Sequence, residues 1–258
     1  MALFSRHRGF TLVESIITVA ILAVVAALLF SAFGMVKRRS LDSKCVLNLR
    51  QLGMAGIQFA ADNKGRLPYR SDWASATNSK TSLLPYLGFN LRKSGDPELL
   101  QPTVLTCPAT LGSKVASDTE FYRTYSINQY ATGNDSGSNE TTWKSQVEAR
   151  QAPLLLSAVK YPARQAFFMD GCGKLDTENF DKPVFRYSAF QNPGRLTPYK
   201  EGSNSWTTPF LHNEKIYVVY LDGHVDSLSK KEAETTLVGD ANASSSPYRK
   251  HYFWGAER

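Results

Sequence analysis

The chain is poor in the features that mark several common classes of protein. Its 258 residues include only three cysteines, Cys45, Cys107 and Cys172, which exclude a disulfide-dense scaffold and a fully paired set. The sequence has no HExxH motif, no paired CxxC spacing and no internal repeat of fixed period. It is therefore not typical of a zinc peptidase, a zinc finger, a solenoid or a propeller.

The charge is modest and scattered. With 42% hydrophobic and 21% charged residues, the composition excludes wholesale disorder, and the length suffices for a sizeable core. There are 30 Lys and Arg residues against 23 Asp and Glu, a formal net charge of +7. Beyond residues 37–39 the positive charges form no stripe interleaved with aromatic residues, which disfavours nucleic acid as a partner.

One long apolar run stands near the N-terminus. Residues 16–36 read IITVAILAVVAALLFSAFGMV, without a charge, and a helix needs about 20 such residues to cross a bilayer. A secretory signal peptide has an apolar region of only about 7–15 residues and a small-residue cleavage site. The run is too long for that reading, so it predicts a membrane-spanning helix. The basic residues on its two flanks are too evenly matched to orient it.

Glu14 lies just ahead of the apolar run. A carboxylate costs about 2.5–3.5 kcal/mol at the centre of a membrane helix, and less near its end, so such a residue is a functional candidate that needs a cationic partner. Cleavage between Gly9 and Phe10 would create an α-amine four residues away, within reach along a helix. The alternative is an interfacial carboxylate that reaches the headgroups.

Residues 8–14, RGFTLVE, followed by the apolar run, closely resemble the class III signal of type IV pilins and type II secretion pseudopilins. The resemblance implies that a prepilin peptidase cuts after Gly9 and methylates the amine of Phe10. It also implies that Glu14 pairs with the terminal amine of a neighbouring subunit in a helical filament. The expected location is the inner membrane, single-pass, with the C-terminal domain in the periplasm or outside the cell.

The resemblance divides the chain into four parts: a cleaved leader (1–9), a transmembrane and assembly helix (10–36), the exported half of that helix (37–65) and a soluble domain (66–258). The implied function is that of a structural subunit, not an enzyme, of a pilus or a secretion pseudopilus. Its partners would be the peptidase, other subunits and inner-membrane lipid. The alternative is a minor pilin-like module whose soluble domain binds DNA, polysaccharide or a surface.

A second resemblance lies near the other end of the chain. His212 is followed by nine residues and then by Asp222 and Gly223. This H-X9-DG pattern is similar to one found in many bacterial pilin-like proteins, as are residues 48–53, NLRQLG, and residues 60–65, AADNKG. No activity of the soluble domain can be transferred from it.

The pattern of residues predicts an α+β, pilin-like fold in which a long N-terminal helix packs on an antiparallel sheet. Apolar residues at three- and four-residue steps predict a helix over 41–62, ending at Asn63-Lys64-Gly65. Gly53 and Gly56 within it each cost about 1 kcal/mol relative to Ala, which predicts close approach of a sheet or a partner helix.

The remaining elements are predicted from shorter patterns. Strands are expected within 121–130, at 154–159 and at 166–171, and short helices at 81–87 and 230–236. A hairpin is expected from strands 216–221 and 224–228, with Asp222 and Gly223 as a two-residue turn of positive φ.

The chemistry of the second half allows several readings. His212, Asp222, His224 and Asp226 cluster in sequence, and Asp170 could lie nearby. The structural interpretation has Asp222 and Gly223 build the turn while His212 hydrogen-bonds to it. Alternatives are a Ca²⁺ site that uses Asp170 and Asp222, and a hydrolase site formed by His212, Asp222 and His224. No cofactor is otherwise expected.

The cysteines would face an oxidising compartment if the domain is exported. Cys107 and Cys172 both adjoin turn residues, so a disulfide between them is a candidate, with Cys45 in the core of the helix face. Most of the aromatic residues are expected to pack in the core or cover it rather than to form a binding surface; these are Tyr69, Trp73, Tyr86, Phe89, Trp206, Tyr248, Phe253 and Trp254.

Overall fold

The computed structural model describes residues 11–69, 73–74, 82–89, 103–110, 124–128, 155–171, 173–176, 179–185, 189–190, 210 and 212–233. The chain divides into two compact units, residues 1–41 and 42–258, and each is described by itself. The predicted residues Trp206, Tyr248, Phe253 and Trp254 lie outside the described part, as do Gly9, Phe10 and Cys172.

From Leu12 onward, the described part of the first unit belongs to a helix, α1, Leu12–Asp62. The large apolar side chains between Leu12 and Val36 are exposed, from 46% at Val25 to 81% at Phe30. Among the described residues, α1 is the one helix long and apolar enough to cross a membrane. A helix that is apolar on all sides and uncovered by protein suits lipid better than water, which agrees with the predicted span.

The part of α1 from Asp42 to Asp62 belongs to the second unit and buries one face. Its core residues are Cys45, Leu49, Leu52, Ala55, Phe59 and Ala60. The helix ends as predicted: the Gly65 N–H donates to the Ala60 carbonyl at 2.7 Å, and Lys64 and Gly65 have φ of 58° and 77°. This is a Schellman motif, in which left-handed residues turn the chain away from the helix.

The sheet confirms the α+β prediction. Seven strands are present in the described residues: β1 (Tyr125–Asn128), β2 (Ala166–Asp170), β3 (Gly173–Asp176), β4 (Asn179–Phe185), β5 (Ala189–Phe190), β6 (Lys215–Tyr220) and β7 (Val225–Ser229). Five of them form one sheet in the order β5-β1-β2-β6-β7, and β3 pairs with β4 separately. The pairs β1–β2, β2–β6 and β6–β7 are antiparallel, while β5 adds a parallel edge beside β1.

Two of the three glycines of α1, Gly53 and Gly56, face this sheet. A Cβ placed on Gly53 would lie 2.6 Å from a methyl group of Val219 in β6, and one on Gly56 would lie 2.3 Å from the ring of Phe167 in β2. Real Cβ atoms do not approach so closely, so only glycine permits this separation of helix and sheet. The predicted compensation for the two glycines is therefore confirmed, and it comes from the sheet.

The strand predicted at 154–159 is wrong. Residues Leu156–Ala158 form a 3₁₀ turn, and Leu155 makes an isolated antiparallel bridge with Arg66. The Leu156 N–H donates to the Gly65 carbonyl at 2.7 Å, so this apolar segment packs beside the end of α1 and does not join the sheet. A short apolar run alone does not distinguish these outcomes.

Two predicted short helices are present but brief. Leu84–Leu87 is a 3₁₀ turn closed by Gly88, whose φ is 82°. The second, α2 (Lys230–Glu232), follows β7 directly and starts with a capping box in which Ser229 and Glu232 bond each other's backbone N–H. Residues 234–236 of the predicted helix lie outside the described part.

Candidate functional site

Helix α1 begins with a capping box that was not predicted from the sequence. The Glu14 carboxylate accepts hydrogen bonds from the Thr11 N–H at 2.9 Å and from the Thr11 hydroxyl at 2.8 Å. The Glu14 N–H in turn lies 3.3 Å from the Thr11 hydroxyl oxygen. The spacing T-x-x-E, which precedes an apolar run, is the signal that could have revealed it. Glu14 thus has a local partner that is independent of any amine.

A second site lies where α1 meets the sheet, around the buried His212. The His212 Nδ1 atom is 2.6 Å from an Asp42 carboxylate oxygen at the start of the second unit. Its Nε2 atom is 3.2 Å from Cys107 Sγ and 3.5 Å from Asp170 Oδ2 at the end of β2. Only 3% of His212 is exposed, so the ring is enclosed by two carboxylates and a sulfur atom.

The two carboxylates decide the charge of this ring. Burial favours neutral imidazole, but the hydrogen bonds and negative charges of Asp170 and Asp42 outweigh it and raise the pKa of His212 to about 9. The same two carboxylates act on the neighbouring Tyr217: burial, together with the charges of Asp42 and Asp170, raises its pKa. His212 is therefore an imidazolium at neutral pH.

Asp170 is only partly satisfied in its position. One carboxylate oxygen, Oδ2, accepts the Tyr217 N–H at 2.8 Å. The other, Oδ1, is buried and has no hydrogen-bond partner among the described residues. Because a buried carboxylate oxygen without a partner is costly, this atom marks a place where a further ligand would be stabilising.

Hydrogen bonds across three segments hold Cys107 in the site. Its N–H donates to the Thr124 hydroxyl at 2.7 Å, just before β1. The Asn48 amide of α1 donates to the carbonyl of Thr106, the preceding residue, at 3.0 Å. These bonds fix the cysteine loop against both the helix and the sheet.

The predicted disulfide between Cys107 and Cys172 is wrong, because Cys107 is bonded to Cys45. The Cα atoms of this pair are 5.1 Å apart, within the usual range for a disulfide. Cys45 is in the core, as predicted. The loop that carries Cys107 covers the same buried face of α1, which brings the two cysteines together. The turn residues beside Cys172 carried no information about which partner lay nearby.

Asp42 was not predicted as a site residue. It stands three residues before Cys45, and residues at that spacing share one face of a helix. The buried stripe of α1, extended by one turn, would therefore have placed this carboxylate next to the core. The convergence of Asp42, Asp170 and His212 depends on tertiary packing, since 170 positions separate the first and the last.

The hairpin at the other end of β6 has its predicted strands but a different turn. Residues Ile216 and Val219 pair with Leu228 and Val225. The Gly223 N–H donates to the Tyr220 carbonyl at 2.9 Å, and in the turn only Gly223 has positive φ, at 90°. This is a type I turn followed by one left-handed residue, with three residues in the loop instead of two.

In the H-X9-DG pattern, His212 does not contact Asp222 or Gly223. His212 precedes β6, while Asp222 lies in the turn after its other end and accepts hydrogen bonds from the backbone N–H and the ring of His224, at 3.1 Å and 2.6 Å. The predicted hydrogen bond from His212 to the turn is therefore wrong. Neither the hydrolase set of His212, Asp222 and His224 nor the Ca²⁺ pair of Asp170 and Asp222 is brought together.

The four residues of the predicted aromatic set that lie within the described part, Tyr69, Trp73, Tyr86 and Phe89, follow the core prediction. Trp73 is fully buried and packs edge-on against Phe168, with ring centroids 5.1 Å apart. Tyr86 and Phe89 are partly buried against the same core. These side chains form no exposed platform.

Comparison with protein families gives a match at the N-terminus. The family model described as the prokaryotic N-terminal methylation motif matches residues 4–30. Neither a curated protein nor a solved structure matches the chain. The matched stretch contains the Gly9–Phe10 junction, Glu14 and residues 16–30 of the apolar run, which are the residues that carry the resemblance.

The N-methylation signal is typical of a structural, non-enzymatic class of protein, and the uncovered apolar part of α1 supports membrane anchoring. The chain therefore carries a prepilin-type N-terminal signal, which supports a precursor of the type IV pilin-like or pseudopilin-like kind.

Proposed function

We propose that this protein is a structural subunit of a type IV pilus or a type II secretion pseudopilus. A prepilin peptidase cuts it after Gly9 and methylates Phe10, and the subunit then polymerises through residues 10–36. The observation that carries the proposal is the methylation-motif match at residues 4–30, continued by an apolar helix that no described residue covers. Both features serve processing and assembly.

The same proposal divides the chain into leader 1–9, assembly helix 10–36, exported helix 37–65 and soluble domain 66–258. The leader lies in the cytoplasm and the soluble domain in the periplasm or outside the cell. The Cys45–Cys107 disulfide supports this orientation, because disulfides persist in oxidising compartments and are rare in the cytoplasm.

Processing is tested by co-production of the full chain with a prepilin peptidase. Mass spectrometry of the membrane fraction is expected to give a mature chain that begins with N-methylated Phe10. The variant Gly9→Val should stay uncut, because a branched side chain at the scissile junction blocks its entry, while Ala2→Val is the matched control and should be cut normally. A mature chain that begins at Met35 would refute the proposal.

Assembly is proposed to depend on the charge of Glu14. In an isolated subunit its carboxylate bonds Thr11. In a filament, the Phe10 ammonium of an adjacent subunit can lie beside it in a low-dielectric setting, where the attraction is stronger than in water. The charge sets the register between neighbours, and the capping box sets the start of the helix.

Two variants separate the charge from the cap. Glu14→Gln keeps a side-chain acceptor for Thr11, since Gln also closes a capping box, but it removes the charge. Thr11→Ala keeps the charge and removes the hydroxyl. Co-assembly with tagged wild-type subunits, at matched membrane levels, is expected to fall at least tenfold for Glu14→Gln and less than twofold for Thr11→Ala. The reverse order would assign Glu14 to capping alone.

The alternative of a surface-binding module has no specific support in the described residues. It needs exposed aromatic or basic patches on the soluble domain. The described aromatic residues of the candidate set, Tyr69, Trp73, Tyr86 and Phe89, are buried or partly buried. The structural subunit is therefore the function that we retain.

A further inference from the structure

The buried cluster around His212 has the composition of a metal site. One ligand atom each from Cys45, Cys107 and His212 lie within 4.8 Å of one another, and all three residues are buried. Two thiolates and an imidazole are a frequent zinc ligand set, which a carboxylate can complete as the fourth ligand. In the described structure the two sulfur atoms are joined to each other.

Asp170 supplies the candidate fourth ligand. Its Oδ2 atom lies 3.5 Å from His212 Nε2, and its Oδ1 atom is buried without a partner among the described residues. Asp170 is only 7% exposed, so water does not readily satisfy this oxygen. A cation held by the Asp170 carboxylate, His212 and the sulfur atoms would offset the cost of burying this carboxylate with one oxygen unpartnered.

Asp42 orients the histidine in the manner of a metal site. A metal-bound histidine almost always donates its second ring N–H to a carboxylate or carbonyl, which fixes the tautomer and makes the ring a better ligand. The Nδ1 atom of His212 is 2.6 Å from Asp42, which leaves Nε2 directed to Cys107 and Asp170. In a metal site of this kind Asp42 would be the outer partner, and the other four side chains would be the ligands.

We propose that in the dithiol form of this chain Cys45, Cys107, His212 and Asp170 bind one Zn²⁺ ion, and that the disulfide is the oxidised alternative to this site. A dithiol reductant breaks the Cys45–Cys107 bond, donates two electrons and two protons to the sulfur atoms, and leaves as its own disulfide. Zn²⁺ then displaces to solvent the two thiol protons and the Nε2 proton of the His212 imidazolium, and it binds the two sulfur atoms, Nε2 and the Asp170 carboxylate. The ion and the disulfide exclude each other because they use the same sulfur atoms.

The test measures zinc binding by the full-length chain in detergent, purified with a tag that lacks histidine. The background variant is Cys172→Ser, which removes the third thiol. After reduction with excess dithiothreitol and its removal without oxygen, the chain is expected to bind one equivalent of Zn²⁺, read by elemental analysis and by competition with a chromogenic chelator. The oxidised chain should bind none at the same concentration.

Variants distinguish the folded site from two thiols that bind zinc on their own. Cys107→Ser is expected to lose stoichiometric binding. His212→Gln and Asp170→Asn keep both thiols and should weaken binding at least a hundredfold, and Asp42→Asn should weaken it tenfold to a hundredfold through the histidine. His224→Gln, on the hairpin at the other end of β6, is the control and should bind as the parent does.

A thermal melt is the second measurement, because reduction of the disulfide can destabilise the domain. Zn²⁺ is expected to raise the melting temperature of the reduced parent, because a ligand that binds only the folded state stabilises it, and to leave the oxidised parent unchanged. The proposal is overturned if the reduced chain binds no zinc and its melting temperature does not rise. It is equally overturned if His212→Gln and Asp170→Asn bind as tightly as the parent. Neither result depends on filament assembly.

Discussion

At the scale of single residues, His212 couples the stability of the second unit to pH. Its pKa in the folded chain is about 9, above the ordinary value of about 6.5 for an exposed histidine. The folded state therefore binds the proton more tightly than the unfolded state does. This stabilisation is complete below pH 6.5 and is lost as the pH rises through 9.

The first prediction follows from that coupling. The free energy of unfolding of the oxidised full-length chain should fall between pH 6.5 and 9 by an amount on the order of 3 kcal/mol. In His212→Gln, whose amide does not titrate, this slope should disappear, whereas His224→Gln on the exposed hairpin should keep it. Denaturant unfolding at closely spaced pH values is the measurement, and an equal slope in the parent and His212→Gln would contradict the assignment.

A second prediction concerns Gly56. Replacement by Ala places a methyl group against the Phe167 ring, which is expected to destabilise the second unit by about 1–3 kcal/mol through overpacking. Gly34→Ala is the matched control, because nothing lies within 4 Å of a Cβ at that position and alanine favours the helix. If Gly56→Ala melts at or above the parent temperature, the close contact of α1 with β2 is misplaced.

At the scale of elements, the hairpin turn is set by one backbone angle. A Cβ on Gly223 would meet Ile57 and Met54 at 3.4 Å and 3.6 Å, which is close to ordinary contact. The cost of substitution therefore arises from the φ of 90° and not from lack of space. Asparagine tolerates the left-handed region far better than a β-branched residue does.

The third prediction uses that difference. Gly223→Val should lower the free energy of unfolding by about 2 kcal/mol, and Gly223→Asn by less than about 1 kcal/mol. Chemical unfolding of the two variants, measured side by side with the parent, decides it. Equal losses in both would indicate that the side chain clashes with α1 and that the backbone angle is not the cause.

The elements differ in how well the sequence predicts them. The helix, its end at residues 63–65, the β2 strand and both hairpin strands follow from local patterns and end signals. The turn after Tyr220 was misjudged because Asp-Gly suits both two- and three-residue loops. The segment near Leu155 was misjudged because its partner, Arg66, is distant in sequence. Hydrophobic periodicity predicts which face of a helix or strand is buried, but it does not predict which other segment packs on that face.

The candidate sites likewise differ in how well the sequence predicts them. The processing signal is contiguous and was therefore readable from residues 8–14 alone. The site around His212 is formed by residues from α1, the loop at Cys107, the end of β2 and the start of β6. Because these segments are far apart in sequence, no short motif predicts the site. The glycines Gly53 and Gly56 were an exception, since their cost in a helix predicted a tertiary contact before its partner was known.

At the scale of the whole molecule, the disulfide ties the first turns of the second unit to a distant loop. Cys45 and Cys107 are 62 positions apart, and by the chain-entropy argument a loop of that length is worth about 4 kcal/mol. The bond lies in the core, where both cysteines are at most 1% exposed. It therefore restrains the unfolded chain more than it shapes the folded surface.

The fourth prediction tests the pairing itself. Proteolytic mapping without reduction should recover one peptide pair that joins Cys45 to Cys107, with Cys172 alkylated as a single thiol. Cys107→Ser should lose about 2–4 kcal/mol of stability, while Cys172→Ser keeps the Cys45–Cys107 bond and should not lose this contribution. A peptide that joins Cys107 to Cys172 would reverse this assignment.

The position of that disulfide also determines how the chain responds to tension. A pull that enters along α1 reaches Cys45 only three residues into the second unit, which begins at Asp42. From there the load passes through the covalent bond to Cys107, and the segment between the two cysteines, which are 62 positions apart, cannot be drawn out. At about 3.5 Å per extended residue, the bond withholds roughly 200 Å of length. If the disulfide were reduced, the same pull could extend the segment between the two cysteines by that length before tension reached Cys107.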